Sequence, residues 1–166
     1  MTDDRVPAAT RPVDRAPAGV RRATPADRPA LSALQSFLPE PSPELLDRGL
    51  AAGACEAFVS TADGAPVGYL LAVGGDGAHV AELVVAPGFR REGRASSLLS
   101  ALFASLDPGT RVTLAVSADN GAALALYRGF GFRVVGRRQD AFADGAGLSL
   151  VATARPVRSK SHPSRS

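Results

Sequence analysis

The stretch Phe89-Arg-Arg-Glu-Gly-Arg-Ala-Ser-Ser-Leu-Leu-Ser-Ala-Leu102 crowds three arginines around one glycine, immediately before a run with helical periodicity. Arg90, Arg91 and Arg94 repel one another and Gly93 weakens a helix, so local stability does not account for the choice. Upstream, His79 to Val85 reads as a strand stopped by Pro87. Downstream, Leu98, Leu99, Leu102, Phe103 and Leu106 recur on one helical face. Pro108-Gly109 closes that helix, and Val112 to Val116 reads as a buried strand. A strand–helix–strand unit over 79–116 requires a parallel pair, because a tight hairpin cannot join parallel strands.

Working outward, the other elements are antiparallel in style. Val20 to Ala23 is a short strand, and Thr24 caps a helix with Pro25 in its first turn. Leu31, Leu34, Phe37 and Leu38 form that helix's apolar stripe; Pro39, Pro41 and Pro43 end it, and Glu44 to Leu50 make a second short helix. Ala57 to Ser60 and Val67 to Val73 are strands joined at Asp63-Gly64. Asp119-Asn120 caps a helix with the inner stripe Ala123, Leu126, Tyr127 and Phe130, and Phe132 to Val135 and Leu148 to Val151 are the last strands. The order β-α-α-β-β-β-α-β-α-β-β predicts an α/β fold, a mostly antiparallel sheet with one parallel pair, flanked by helices.

The bulk composition excludes several classes of function. The formal charge of +3 resembles a nucleic-acid signal until it is located. Thirteen arginines balance thirteen Asp and Glu from Gly19 to Arg155, and residues 1–18 are also neutral. Arg158, Lys160 and Arg165 supply the whole excess, so no nucleic-acid footprint is expected on the body. Residues 1–18 and 156–166 are expected to be disordered tails around a domain at 19–155. The single cysteine, Cys55, forms no internal disulfide and reads as a small buried side chain at a strand start. With only His79 and His162 besides, no metal site is expected. No apolar run is long enough for a membrane span and the N-terminus lacks a secretory centre, so a cytoplasmic protein without membrane contact is expected.

The turn after the 79–85 strand now has a physical reading. The first amides of a helix lack backbone partners and carry the positive end of its dipole. Gly93 and Ala95 let an anion approach the backbone, Arg90, Arg91 and Arg94 add charge, and Ser96 adds a hydroxyl. Together these suit a pyrophosphate. A Rossmann site is excluded by the missing Gly-x-Gly-x-x-Gly, and Gly74 to Gly77 make no phosphate loop because a strand follows.

Val85-Ala-Pro-Gly-Phe-Arg-Arg-Glu-Gly-Arg-Ala95 resembles the acetyl-CoA signature of the GNAT superfamily of N-acetyltransferases. Asn120-Gly-Ala-Ala-Leu-Ala-Leu-Tyr127, followed by Gly131-Phe132, is similar to the second motif of that family, and Arg21 to Asp27 to its usual beginning. The resemblance spans about 19–152. It implies that the two parallel strands splay, that the pantetheine arm of acetyl-CoA lies between them against the backbone of Leu83, Val84 and Val85, and that amides from Arg91 to Ser96 hold the pyrophosphate. It further implies that Asn120 fixes the far wall, a role compatible with capping its helix.

For catalysis, Tyr127 matches the family tyrosine near the thioester sulfur, where a phenol can protonate the departing thiolate; a structural aromatic is the alternative. Glu82 is the one acid in its strand, and simple alternation puts it on the face of Val80 and Val84, opposite Leu83 and Val85. An acid amid apolar residues is costly unless wet or paired. It is the candidate base, acting through a water, with an edge salt bridge as the alternative.

The function implied is acetyl transfer from acetyl-CoA to a primary amine, by direct attack in a ternary complex. The alternative is a non-catalytic acyl-CoA-binding sensor or regulatory module. Arg133 to Asp140 followed by Leu148-Ser-Leu150 resembles bacterial ribosomal-protein N-terminal acetyltransferases, although Ala141 to Gly145 replaces the tyrosine pair and acidic stretch usual there. The acceptor is therefore open between a small-molecule amine and a protein amine, with Phe37 and Phe142 as pocket candidates, and the chain is read as a monomer or homodimer.

Overall fold

The computed structural model describes residues 19–142 and 145–155; the expected tails lie outside the described residues. Seven strands form one sheet in the order β1-β2-β3-β4-β5-β7-β6. They are β1 (Val20–Arg22), β2 (Cys55–Ala62), β3 (Ala65–Gly74), β4 (Ala78–Val85), β5 (Arg111–Ser117), β6 (Arg133–Phe142) and β7 (Gly145–Thr153). Every neighbouring pair is antiparallel except β4 and β5, which are parallel as the sequence requires. The helices are α1 (Arg28–Leu34), α2 (Leu50–Ala52, continuing a π-helical turn Leu45–Gly49), α3 (Arg94–Ala104) and α4 (Gly121–Gly129). None among the described residues is long and apolar enough to cross a membrane.

The sheet buries both faces, and each has its own apolar cluster. Leu98, Leu99 and Leu102 of α3 and Leu124 and Tyr127 of α4 pack on Leu70, Val80, Val85, Val112 and Leu114. On the opposite face, Leu31 and Leu34 of α1 and Leu46 of the π turn cover Val59, Tyr69, Leu71 and Val84. Cys55 is buried in this second cluster at the start of β2, and burial pushes its thiol pKa up, as suits a packing residue.

Two expectations need correction. β6 runs to Phe142 and β7 begins at Gly145, so the strands expected at 132–135 and 148–151 are longer and the segment 136–142 is strand. β6 is the sheet's edge and most of its residues are exposed, so it lacks the apolar alternation that marks a half-buried strand. Second, Glu82 shares a face with Val84 but not with Val80. Between Leu71↔Glu82 and Ala72↔Val80 the β3–β4 register skips Ala81, a bulge that swaps the faces on either side of it.

Thr24 stands at the N-cap position of a 3-10 turn, Pro25–Asp27, that leads into α1, and the side chain that closes the cap is that of Asp27. Asp27 accepts from the Thr24 backbone N–H at 2.7 Å, and Arg21 grips both its oxygens at 2.8 and 2.9 Å. The guanidinium is the main cause that holds the Asp27 pKa down at about 2, against burial. A carboxyl depressed in the folded state stabilises above its unfolded pKa near 4 and loses that contribution as pH falls toward 2. Because Arg21 is half exposed, about 1 kcal/mol is expected. Asp27→Asn should lower the unfolding free energy by about that amount at pH 7 and flatten its fall between about pH 4 and 2, measured by urea unfolding across pH.

Candidate active site

The site begins where the sheet stops being continuous. β4 and β5 pair at Ala78↔Val112, His79↔Thr113 and Val80↔Leu114, and no pairing continues toward Val85 and Ser117. The bulge at Ala81 sits at the point of separation, and a bulge bends the strand that carries it. Beyond it, the ladder dictates where each backbone group points. Ala86 N–H donates to the Val67 carbonyl at 2.8 Å, so by alternation Val84 and Glu82 turn their backbone to β3. Leu83 and Val85 turn theirs to the gap. Of the three strand residues expected to meet the pantetheine arm, Val84 is thus committed to β3. The Val85 carbonyl is also taken, by Arg90 Nε at 2.8 Å. Leu83 and the Val85 N–H remain.

The β4–α3 turn delivers the next set of groups. Arg91 (φ 66°) and Gly93 (φ 78°) both occupy the left-handed region, which curls the backbone N–H groups inward. The first backbone bond of the helix start is Ser97 N–H to Gly93, at 3.0 Å. Among the described residues, no acceptor meets the N–H groups of residues 91–96, and Gly93 provides no side-chain cap. A Cβ built on Gly93 meets no protein atom within 4 Å, so the space above these amides is open. Ala95 and Ser96 are half-buried beside it.

The three arginines do not converge on that space. Arg94 donates to Ser60 Oγ at 2.9 Å and the Thr61 carbonyl at 3.1 Å on β2, and to Glu92 at 2.8 Å. Its guanidinium also lies 5.6 Å from the Phe89 ring centroid. Ser60 is 2% exposed, so Arg94 answers a buried hydroxyl and pins α3 to the sheet. Arg90 ties the turn to β4. Arg91 alone is exposed without such an anchor among the described residues.

Glu82 and Tyr127 lie on opposite faces of the sheet. Glu82 is 4% exposed, and three donors from distant parts of the chain meet it. Tyr69 Oη donates to Oε1 at 2.6 Å, Gln35 Nε2 reaches Oε1 at 3.0 Å and Oε2 at 3.2 Å, and the Ser42 N–H donates to Oε2 at 2.5 Å. The edge salt bridge considered above is not what is found, since no cation bonds this carboxylate among the described residues. Tyr127 is buried against Phe132, ring centroids 5.6 Å apart, in the α3–α4 cluster. Its hydroxyl has no protein partner among the described residues, and burial pushes its pKa up to about 12.

The remaining candidates are more dispersed. Asn120 Oδ1 caps α4 by accepting from the Ala123 N–H at 3.1 Å. Phe37 is exposed just beyond α1. Phe142 lies across Gly147 of β7, where a Cβ would approach its ring to 2.6 Å; Gly147 is paired with Ser117 at the open end of β5. Gln35, Ser42 and Tyr69 were not anticipated. A signal existed for two of them: Gln35 is a polar residue beside the apolar stripe of α1, and Tyr69 carries a hydroxyl inside an apolar strand. Among the described residues no group of three or more His, Cys, Asp or Glu is placed to hold a metal ion.

The fold has counterparts of known structure. The ribosomal-protein-S18-alanine N-acetyltransferase of Escherichia coli superposes with a TM-score of 0.71 at 21% identity, covering 86% of this chain and 97% of that one. NAA60 of Arabidopsis thaliana, in complex with acetyl-CoA, gives 0.67 at 20% identity over 81% and 97%. A GNAT superfamily phosphinothricin acetyltransferase of Sinorhizobium meliloti, also with acetyl-CoA, gives 0.68 at 19% identity over 82% and 88%. At such identities the likeness is one of fold. No curated protein is significantly similar in sequence. The sequence profile of the acetyltransferase (GNAT) domain matches residues 24–146, most of the chain, and the protein therefore belongs to the GNAT acetyltransferase family.

Proposed function

We propose that this protein is an N-acetyltransferase that binds acetyl-CoA in the β4–β5 gap and transfers the acetyl group to a primary amine within a ternary complex. The observation that carries the reading is the seam itself: unpaired strand edge at Leu83 and Val85, unpaired amides at 91–96, and an acid and a base candidate on either side. The pyrophosphate is held by those amides and by Arg91, and the pantetheine arm completes the strand edge that β5 leaves open. Arg90 and Arg94 serve the site by fixing the turn.

The chemistry then divides between the two faces. The acceptor arrives as an ammonium and gives one proton through a water to Glu82, which frees its lone pair. Its nitrogen attacks the thioester carbonyl, the C–N bond forms and the C–S bond breaks. Tyr127 donates its proton to the departing thiolate, and the second proton, which the nitrogen sheds as it becomes an amide, restores the phenol. A phenol with a pKa near 12 keeps that proton at working pH, and the dry cluster that raises it also disfavours an unprotonated thiolate nearby. A module that only binds acyl-CoA would need neither side chain. Between a small-molecule amine and a protein amine the neighbours do not choose, since an S18-alanine acetyltransferase and a phosphinothricin acetyltransferase share the fold, and the acceptor proposed is a primary amine.

Thermal unfolding with saturating acetyl-CoA tests the binding half. At 100 times its dissociation constant the ligand should add about 2.7 kcal/mol, several degrees for a domain of this size. Gly93→Val should abolish the shift by filling the open space over the amides, and its melting point without ligand gives the separate cost of valine at φ 78°. A full shift in this variant would remove the turn from the binding site.

For the chemical half, Tyr127→Phe should lower kcat by roughly 100- to 10,000-fold, the scale of a positioned general acid. The thermal shift with acetyl-CoA should hardly change. Unaltered kcat would take Tyr127 out of the mechanism.

A further inference from the structure

The network around Glu82 is larger than a base requires. Its partners come from β3, from the end of α1 and from the loop before the π turn, at separations of 13, 47 and 40 residues. Burying a carboxylate costs several kcal/mol before its hydrogen bonds are counted. Leu71 and Val84 beside it are plain apolar residues of the same cluster. A leucine at 82 would satisfy packing there without any of the three donors. The carboxylate and its donors thus have a use other than stability.

Resting on the reading of Glu82 as the base, we propose that Tyr69 and Gln35 are positioning residues that hold the Glu82 carboxylate in the orientation in which it takes the acceptor's proton. Oε1 carries both Tyr69 Oη and the shorter arm of Gln35. Oε2 carries the Ser42 N–H and the longer arm of the same Gln35 nitrogen, so each oxygen meets two donors and the carboxylate plane is held from both ends. Ser42 lies between Pro41 and Pro43, which have no N–H to offer, so its amide is the donor that this stiff loop can bring to the carboxylate. Tyr69 is fully buried, and burial together with the bond to Glu82 pushes its phenol above the usual range, so it remains a donor throughout the working pH. In the proton step the ammonium N–H breaks, one water O–H forms as another breaks, and the new O–H is on the Glu82 carboxylate. The other ionisable groups on neighbouring elements are Arg28 on α1, Glu40 and Glu44 before the π turn, Asp47 and Arg48 within it, Cys55 and Glu56 on β2, and His79 at the far end of β4; Arg28 pairs with Asp47, Glu56 with Arg22, and His79 bonds Thr113 at 2.9 Å.

The test compares Tyr69→Phe, Gln35→Met, Glu82→Gln and the double variant Tyr69→Phe/Glu82→Gln. The probes are acetyl-CoA with an alanine-initiated peptide and with n-butylamine. Losing a donor to the charged carboxylate should move the acidic limb of kcat/KM up by about one pH unit in Tyr69→Phe and in Gln35→Met. In the Glu82→Gln background, Tyr69→Phe should change kcat/KM by less than about two-fold, because its effect passes through Glu82. An unmoved limb in both single variants, or an equal penalty with and without Glu82, overturns the assignment. If one variant does not fold, the other carries the test. The titration of the Glu82 carboxyl carbon in [13C]Glu-labelled protein, assigned by its loss in Glu82→Gln, provides a readout that needs no acceptor; its midpoint should rise in either variant, and an unchanged midpoint overturns the assignment. A Glu82→Gln enzyme with the native pH profile would instead sink the base reading itself.

Discussion

The separation of β4 from β5 after Val80↔Leu114 is the constraint on which the rest depends. Parallel strands held by regular bonds would seal the sheet and leave its two apolar clusters isolated. Here the bulge at Ala81 coincides with the last bridging pair, and it does two things at once. It bends β4 away, which opens an edge whose amide and carbonyl groups need partners. It also resets the side-chain alternation, so that Val80 faces α3 and α4 while Glu82 faces α1. A continuous β4 would place Glu82 and Val80 on one face, and either an acid would enter the α3–α4 cluster or a valine would leave it.

The turn that follows divides its labour in a way charge alone does not suggest. Arg94 and Arg90 spend their donors on Ser60, the Thr61 carbonyl and the Val85 carbonyl. Those acceptors belong to the sheet, so the guanidinia fix where α3 starts. Glu92 neutralises part of Arg94. What remains for an anion is a run of amides curled by left-handed Arg91 and Gly93, reinforced by one exposed arginine. Such amides are already oriented and need no reorganisation, whereas a long side chain loses rotamer freedom on binding.

Much of this was legible from residues alone, for identifiable reasons. Period and punctuation place the elements, because Leu98, Leu99 and Leu102 repeat at helical spacing and Pro87 and Pro108-Gly109 mark the ends. The parallel pair follows from connection length. The bulge did not follow, since Ala-His-Val-Ala-Glu-Leu-Val-Val contains no residue that declares an extra position. The far half of β6 was hidden because an edge strand with exposed arginines reads like a loop. Destinations of arginines and the partners of Glu82 are tertiary facts: Gln35 is 47 residues away, and no local rule connects them. The carboxylate could be chosen from its apolar neighbours, but not the donors that make it tolerable.

The two titratable groups at the seam are treated in opposite ways, and the treatment matches the proton each would handle. Tyr127 sits among hydrocarbon with no protein partner among the described residues, so burial acts alone and favours its neutral, proton-bearing form. A general acid must reach the transition state with its proton, and a phenol that surrendered it early would leave a phenolate facing a thiolate. Glu82 is equally buried, yet three donors converge on it. Donors of that kind stabilise a charged oxygen and have nothing to offer a methyl group. Apolar burial on one face of the sheet and a polar network on the other thus give the two groups opposite surroundings. In the proposed reaction an amine entering from the α1 side would meet the proton acceptor, and a sulfur leaving toward α4 would meet the donor.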